Sequence, residues 1–325
     1  MKLDFLLENS FKYNPFFQKE FFKRKIRYDF PLSLNIEVTN KCNFRCFMCP
    51  RLKANRGIGD MDINLYKKII DQIYKEGKKL YVLTLIKDGE SLLHPKLFEM
   101  IAYAKKRKVA HRIDLFSNGS LLDQKKGKAL IESGLDVLHI SLNAAFPGTH
   151  KKISGTDTYR KVDSNLKNFM ALRKRLKARN PLVIAKAIRM EPFSKKEEKK
   201  FREIWTGVVD QIIITPLHNY AGGLEYSKTT NMRWPCLPLW FNPVINYDGK
   251  VTTCCANYMN NELIMGDVRR QSLKRIWQSK NYQRLRQDHL RGDFSNWPTC
   301  QSCDYWNNFV DMGKWLGKKE SVWGK

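Results

Sequence analysis

Two hydrophobic periodicities alternate along the chain. Apolar runs at Leu32–Val38, Leu80–Ile86, Ile113–Phe116, Val137–Leu142, Leu182–Met190 and Val208–Thr215 predict strands. Leu80–Ile86 is nearly unbroken in its apolar character, as expected of a parallel strand covered on both faces. Between them the spacing turns helical. Ile63, Tyr66, Ile70 and Ile73 follow Asp62 as a cap and precede Gly77 as a stop. Pro95 opens a helix carrying Phe98 and Ile101, and a longer one carries Val162, Leu166, Phe169, Leu172 and Leu176 on one stripe. Six strand–helix alternations predict an α/β fold with a parallel sheet and right-handed crossovers. In such folds function collects at the carboxyl ends of the strands.

The alternation ends after Pro216, which divides the chain into an extension (1–31), a core domain (32–217) and a cysteine-rich domain with a tail (218–325). The extension mixes Phe16-Phe17 and Phe21-Phe22 with Lys23-Arg24-Lys25; it suits a segment packed on the core or an interfacial helix on a membrane. The tail carries Trp306, Trp315 and Trp323 among basic residues.

Composition narrows the class. With 325 residues, 42% hydrophobic and 12% aromatic, the chain can bury a large core. No apolar run has the length of a membrane span. Asp4 and Glu8 interrupt the first apolar patch, unlike a secretory signal, and the grouping of eight cysteines points to the reducing cytoplasm. The balance of 59 Lys+Arg against 32 Asp+Glu gives +27. That field favours phosphorylated or nucleotide-linked molecules, nucleic acid or an acidic membrane surface; a lysine-rich solvated surface accounts for it equally.

The candidate chemistry begins after the first strand, at Cys42-Asn43-Phe44-Arg45-Cys46-Phe47-Met48-Cys49. Three thiolates on one loop can hold three irons of a [4Fe–4S] cube. The next cysteine is Cys236, so the fourth iron is left for a substrate or cofactor. A zinc knuckle is the alternative, although zinc sites usually take four ligands in paired hooks. Asp88-Gly89-Glu90 ends the second strand, Ser117-Asn118-Gly119 the third and Ser141-Leu142-Asn143 the fourth. Each alone is also an ordinary turn or cap.

The triad spacing and these strand ends together resemble the radical S-adenosylmethionine (SAM) superfamily. The resemblance implies a partial (β/α)6, TIM-like barrel and a SAM-binding [4Fe–4S] cluster on Cys42, Cys46 and Cys49. In that family a Gly-Gly-Glu motif receives the SAM amino group; here Asp88 replaces the first glycine, while Gly89 and Glu90 are kept. Ser117, Asn118, Ser141 and Asn143 then fall where ribose and carboxylate contacts are made. Arg189 falls where it could pair with the SAM carboxylate or a substrate anion, and Met48 where it could wall the adenine. The family's G-x-I-x-G-x-x-E motif is not recognisable in Ala185–Met190.

Cys236, Cys254 within Gly249-x4-Cys254-Cys255, and Cys300-x2-Cys303 resemble the SPASM domain or its shorter Twitch form. Four of these cysteines, Cys236, Cys254, Cys300 and Cys303, close one auxiliary [4Fe–4S] cluster suited to electron transfer. Zinc on the same ligands is the alternative. Cys255 is left over, either a small buried residue or a hydrogen-atom donor to a substrate radical, and which of Cys254 and Cys255 ligates is open.

The implied reaction is reductive cleavage of SAM to a 5′-deoxyadenosyl radical, which abstracts a substrate hydrogen. Relatives with one auxiliary cluster include dehydrogenases and epimerases of aminocyclitols and aminoglycosides. That favours a small hydroxylated, sugar-like substrate, anionic by the charge balance, and a flavodoxin- or ferredoxin-type reductant. A peptide maturase is the alternative, and a non-enzymatic iron–sulfur or nucleic-acid-binding protein is a third.

Overall fold

The computed structural model describes residues 29–222, 224, 235–257 and 263–309. The N-terminal extension before residue 29 and the tail from residue 310, with the expectations attached to them, lie outside the described residues. Six parallel strands, β1 (Ser33–Ile36), β2 (Leu80–Leu85), β3 (Ala110–Ser117), β4 (Val137–Ser141), β5 (Leu182–Arg189) and β6 (Gln211–Pro216), pair in sequence order. Helices connect them: α1 (Ile63–Lys75), α2 (Leu97–Arg107), α3 (Gln124–Glu132), α4 (Pro147–Ser154) with α5 (Tyr159–Arg175), and α6 (Lys195–Trp205). This is a curved α/β sheet of partial-barrel type with its helices outside.

The local chemistry explains the elements. Asp62 caps α1 by accepting from the backbone N–H groups of Asn64 (2.8 Å) and Leu65 (3.1 Å). Tyr66, Ile69, Ile70 and Ile73 on one face of α1 are buried, and Val162, Leu166, Phe169 and Leu172 form the buried stripe of α5. Leu176, expected to continue that stripe, lies past the last helical residue and is exposed, because the helix ends at Arg175.

The C-terminal part is joined to the core through the sheet. The C-terminal strands β7 (Val244–Ile245), β8 (Lys250–Thr252) and β9 (Ile264–Asp267) continue the same sheet, giving the order β6-β5-β4-β3-β2-β1-β7-β8-β9. β7 runs parallel to β1, with Asn35 beside Val244 and Ile36 beside Ile245. Asp248-Gly249 turns the chain between β7 and β8 as expected, with Gly249 at φ 88. Helices α7 (Leu273–Trp277), α8 (Lys280–Arg291) and α9 (Pro298–Gln301) follow.

Candidate active site

The first cysteine loop leaves β1 and is held from two sides. Backbone N–H groups of Arg45 and Phe47 donate to the carbonyls of Ser154 (2.9 Å) and Ile153 (3.0 Å) at the end of α4. Asn43 accepts from Asn118 Nδ2 (2.9 Å) and donates to Ser120 Oγ (2.8 Å), which ties the loop to the end of β3. Cys49 N–H donates to the Cys46 carbonyl (2.9 Å), folding the loop back on itself. None of the eight cysteines is in a disulfide.

The three thiols crowd one another. Burial, with the neighbouring Cys49 and Cys42, pushes Cys46 up to about 12. Cys42 and Cys49 are raised as well, burial being the main cause. Three thiolates can therefore coexist here only beside strong positive charge, which iron supplies. Among the described residues no three His, Cys, Asp or Glu side chains already converge in ion-binding geometry. The fit to a cluster rests on this donor chemistry.

Glu90 is buried at the end of β2, and its carboxylate is committed to the protein. It accepts from Ser117 Oγ (2.8 Å), Asn118 N–H (2.6 Å) and Leu92 N–H (3.0 Å), while its own N–H donates to the Lys41 carbonyl (2.8 Å). Burial raises its pKa against those hydrogen bonds. Glu90 thus locks the ends of β2 and β3 and the cysteine loop together, where the sequence suggested a SAM contact. Ser117 and Asn118 are drawn into the same lock: Ser117 Oγ also accepts from Gly119 N–H, and Asn118 Oδ1 from Ser120. Gly89 allows the close approach, since a Cβ there would stand 2.2 Å from the Thr39 carbonyl oxygen.

Asp88 behaves differently. Its Oδ2 pairs with Arg56, which also binds Glu37, but its buried Oδ1 has no partner. Burial raises it to about 7 against the pull of Lys87 and Arg56. An unpaired acceptor beside the triad suits an ammonium group. Ser141 is half-buried at the end of β4. Asn143, at φ 56, accepts from Ile188 N–H (3.0 Å), which pins the β4 turn to β5. Met48 is buried in the core.

Arg189 is a correction. Its parity on β5 turns it outward, where it is exposed and bonds Glu198 Oε2 (3.0 and 2.9 Å) on α6. The guanidinium is not available to a ligand within the barrel.

The second cysteine set belongs to the C-terminal part, with Cys254 two residues past β8. Cys254 sits in the field of Cys255, Cys236 and Cys303. Its sulfur accepts from Ala256 N–H (3.2 Å), and that of Cys303 from Tyr305 N–H (3.3 Å), contacts that favour thiolate ligands. A hydrogen bond within the pair lowers Cys255 to about 7 and raises Cys254; Tyr305 also bonds Cys255. Tyr220 follows β6, two residues past His218, and is half-buried. Its phenol is in the field of Cys49 and Cys46 from one set and Cys255 from the other. Asn219 anchors this segment by bonding Asp304 both ways, at 2.7 and 3.0 Å. No sequence motif marks Tyr220; only its place after a strand's carboxyl end could have flagged it.

Comparison with known proteins fits this layout. A model of the radical SAM superfamily matches residues 36–183, and a model of the SPASM iron–sulfur cluster-binding domain matches residues 236–304. The chain is a radical SAM enzyme with a SPASM domain. Its cofactors are SAM and two [4Fe–4S] clusters. Among relatives, this radical SAM chain is 24% identical to the tungsten-containing aldehyde ferredoxin oxidoreductase cofactor-modifying protein of Pyrococcus furiosus, over 83% of this chain and 86% of that one. It is 30% identical to the GTP 3′,8-cyclase of Chlorobaculum tepidum over 42% of this chain and 41% of that one, under half of the cyclase. Similar solved structures include Streptococcus suis SuiB bound to precursor peptide SuiA (TM-score 0.66, 13% identity, 82% of this chain and 69% of that chain). BtrN in complex with AdoMet and 2-DOIA gives a TM-score of 0.58 at 18% identity, over 84% of this chain and 92% of that one. Among the described residues no helix is long and apolar enough to cross a membrane.

Proposed function

We propose that this radical SAM enzyme oxidises or epimerises a small, hydroxylated, sugar-like substrate bearing an anionic group. The observation that supports it is that Tyr220 lies in the field of Cys49 and Cys46 from one set and of Cys255 from the other. In this reading the chain divides into a core of 32–217 and an auxiliary part of 218–325. Cys42, Cys46 and Cys49 hold the SAM-binding cluster, and Cys236, Cys254, Cys300 and Cys303 the auxiliary one. Bound and reduced, the first cluster and SAM supply a 5′-deoxyadenosyl radical that removes a hydrogen atom from a substrate C–H.

The chain's own residues do the rest. Asp88 Oδ1 receives the SAM ammonium, in place of the carboxylate that Glu90 has committed elsewhere. Ser141 and Asn143 border the ribose. The Glu90 lock keeps the cysteine loop from moving as the ligand enters. Cys255 S–H would return a hydrogen atom to the substrate radical if the outcome is epimerisation, its thiyl then being restored by one electron from the reductant and one proton. If it is oxidation, the substrate radical would lose a proton to solvent and an electron to the auxiliary cluster, giving the ketone. Five cysteines in the C-terminal part complete one four-thiolate cube and leave one thiol, which suits such chemistry better than the two auxiliary clusters common among peptide maturases. A flavodoxin- or ferredoxin-type protein supplies the electron, in the cytoplasm.

The test is anaerobic reconstitution with iron counting, followed by reduction with SAM. About eight irons per chain and formation of 5′-deoxyadenosine are expected, with transfer of deuterium into it from a labelled polyol or sugar substrate. Deuterium arriving instead from a peptide would sink the sugar assignment.

A further inference from the structure

The strand register carries a polar group of residues into the barrel interior. Phe116 on β3 lies beside His139 on β4, and Ser141 on β4 beside Lys186 on β5. The alternation of strand side chains then puts Arg112, Asp114, Phe116, His139 and Lys186 on one inner face. A lysine in the middle of Val183-Ile184-Ala185-Lys186-Ala187-Ile188 is out of place unless something inside uses it.

The neighbours show what that use is. Asp114 is the carboxylate whose field reaches Lys186, and it is already committed. It accepts from Arg112 Nε (2.7 Å) and from Arg112 Nη2 (3.0 Å), and bonds His139 Nε2 (3.0 Å). With Nε2 donating to that carboxylate, His139 is left with Nδ1 as an acceptor, buried and unpartnered. The imidazole stacks flat on Phe116, centroids 4.0 Å apart and planes within 4°. Lys186 Nζ stands 5.0 Å over the other part of this platform. Among the described residues no carboxylate pairs with Lys186. One arginine, one lysine and one aspartate leave this interior a positive charge in excess.

Resting on the reading above, we infer that Lys186 is the receptor for a carboxylate or phosphate held inside the barrel, with the Phe116–His139 platform as the floor beneath it. Lys186 is half-buried on this inner face; an ammonium drawn partly out of water without a counter-ion is costly, and an anionic ligand reduces that cost. His139 Nδ1 accepts from a hydroxyl on the same ligand, so the site fits a hydroxylated molecule with one anionic group. The substrate brings this anion; SAM, through its own carboxylate, is the competing source that the experiment excludes. Burial pulls the Lys186 amine down to about 8; an ordinary lysine stays near ~10.4, so an amine reagent discriminates between them.

The experiment uses the reconstituted protein and its variants K186M and K186R. Labelled-SAM binding is measured by equilibrium dialysis. In parallel, wild-type lysines are labelled with pyridoxal 5′-phosphate and borohydride, with SAM and with or without inorganic phosphate, and the modified peptides are identified by mass spectrometry. A loss of SAM affinity on the order of 10- to 100-fold in K186M, largely restored in K186R, puts SAM's own carboxylate on Lys186 and overturns the assignment to a substrate anion. Unchanged SAM affinity with selective, phosphate-protected labelling of Lys186 assigns the anion to the substrate. Unchanged affinity with no protectable labelling overturns the inference. If K186M fails to fold, K186R and the wild-type labelling still decide. Failure of the wild type to bind SAM sinks the functional reading instead, and the labelling stands apart from it.

Discussion

The Glu90 lock makes a prediction that separates a structural carboxylate from a ligand-binding one. Glu90→Gln keeps the shape but exchanges one oxygen for an amide N–H2. One oxygen can still accept from Leu92 N–H and Ser117 Oγ, whereas Asn118 N–H, now 2.6 Å from its acceptor, would face another donor. A buried donor left without a partner costs roughly 1–3 kcal/mol, and Glu90→Ala, which orphans all three donors, about 3–5 kcal/mol. Against a typical total of ~5–15 kcal/mol this is large. The assay is urea denaturation of the apoprotein under anaerobic conditions, before iron or SAM is added. Glu90→Gln should already be destabilised by roughly 1–3 kcal/mol, and iron uptake should fall with it, because Asn118 holds Asn43 in the cysteine loop. If the apoprotein of Glu90→Gln unfolds at the wild-type midpoint and only SAM affinity drops, the carboxylate faces the ligand and the lock is wrong.

Three further outcomes can be checked alongside it. Cys254→Ala should lower iron from about eight to about four per chain, while Cys255→Ala keeps about eight and stops product formation; iron analysis of both variants decides which sulfur is the ligand. Arg189→Ala should cost only about 0.2–1 kcal/mol, as an exposed ion pair does, and leave SAM affinity unchanged in equilibrium dialysis. Burial holds His139 at about 4, below its unfolded value of about 6.5. The unfolded chain therefore binds the extra proton first, and stability is lost as pH falls from ~6.5 towards ~4, by about 2 kcal/mol at pH 5. Denaturation midpoints at pH 7 and pH 5 should show this drop, and His139→Gln should shrink it.

The architecture was legible wherever chemistry is local. Asp62 announced a helix start, Asp248-Gly249 a hairpin, and the apolar runs the six strands, because a cap, a left-handed turn and double-sided burial each leave a mark within a few residues. The site was legible as cysteine spacing and less so as polar contacts. The motif positions of Glu90, Ser117 and Asn118 point to the ligand; in the structure their partners are one another, and no spacing rule reveals that three strand-end side chains bond among themselves. Arg189 and Lys186 differ only in strand parity, which needs the register to become certain: three residues apart, one points to solvent and the other inward. Tyr220 was missed because its role depends on two segments far apart in sequence.

The ladder between β1 and β7 has a consequence for how this enzyme can be taken apart. The backbone N–H groups of Ser33, Asn35 and Glu37 are satisfied by the carbonyls of Phe241, Pro243 and Ile245. A fragment ending near residue 217 would lose those acceptors and bare an edge lined with Leu34 and Ile36, a template for self-association. The stave nearest the SAM-binding loop is thus supplied by the far end of the polypeptide. The two cysteine-bearing parts are joined by a strand ladder, and a one-residue slip of β7 would turn its buried Val244 and Ile245 to the opposite face of the sheet.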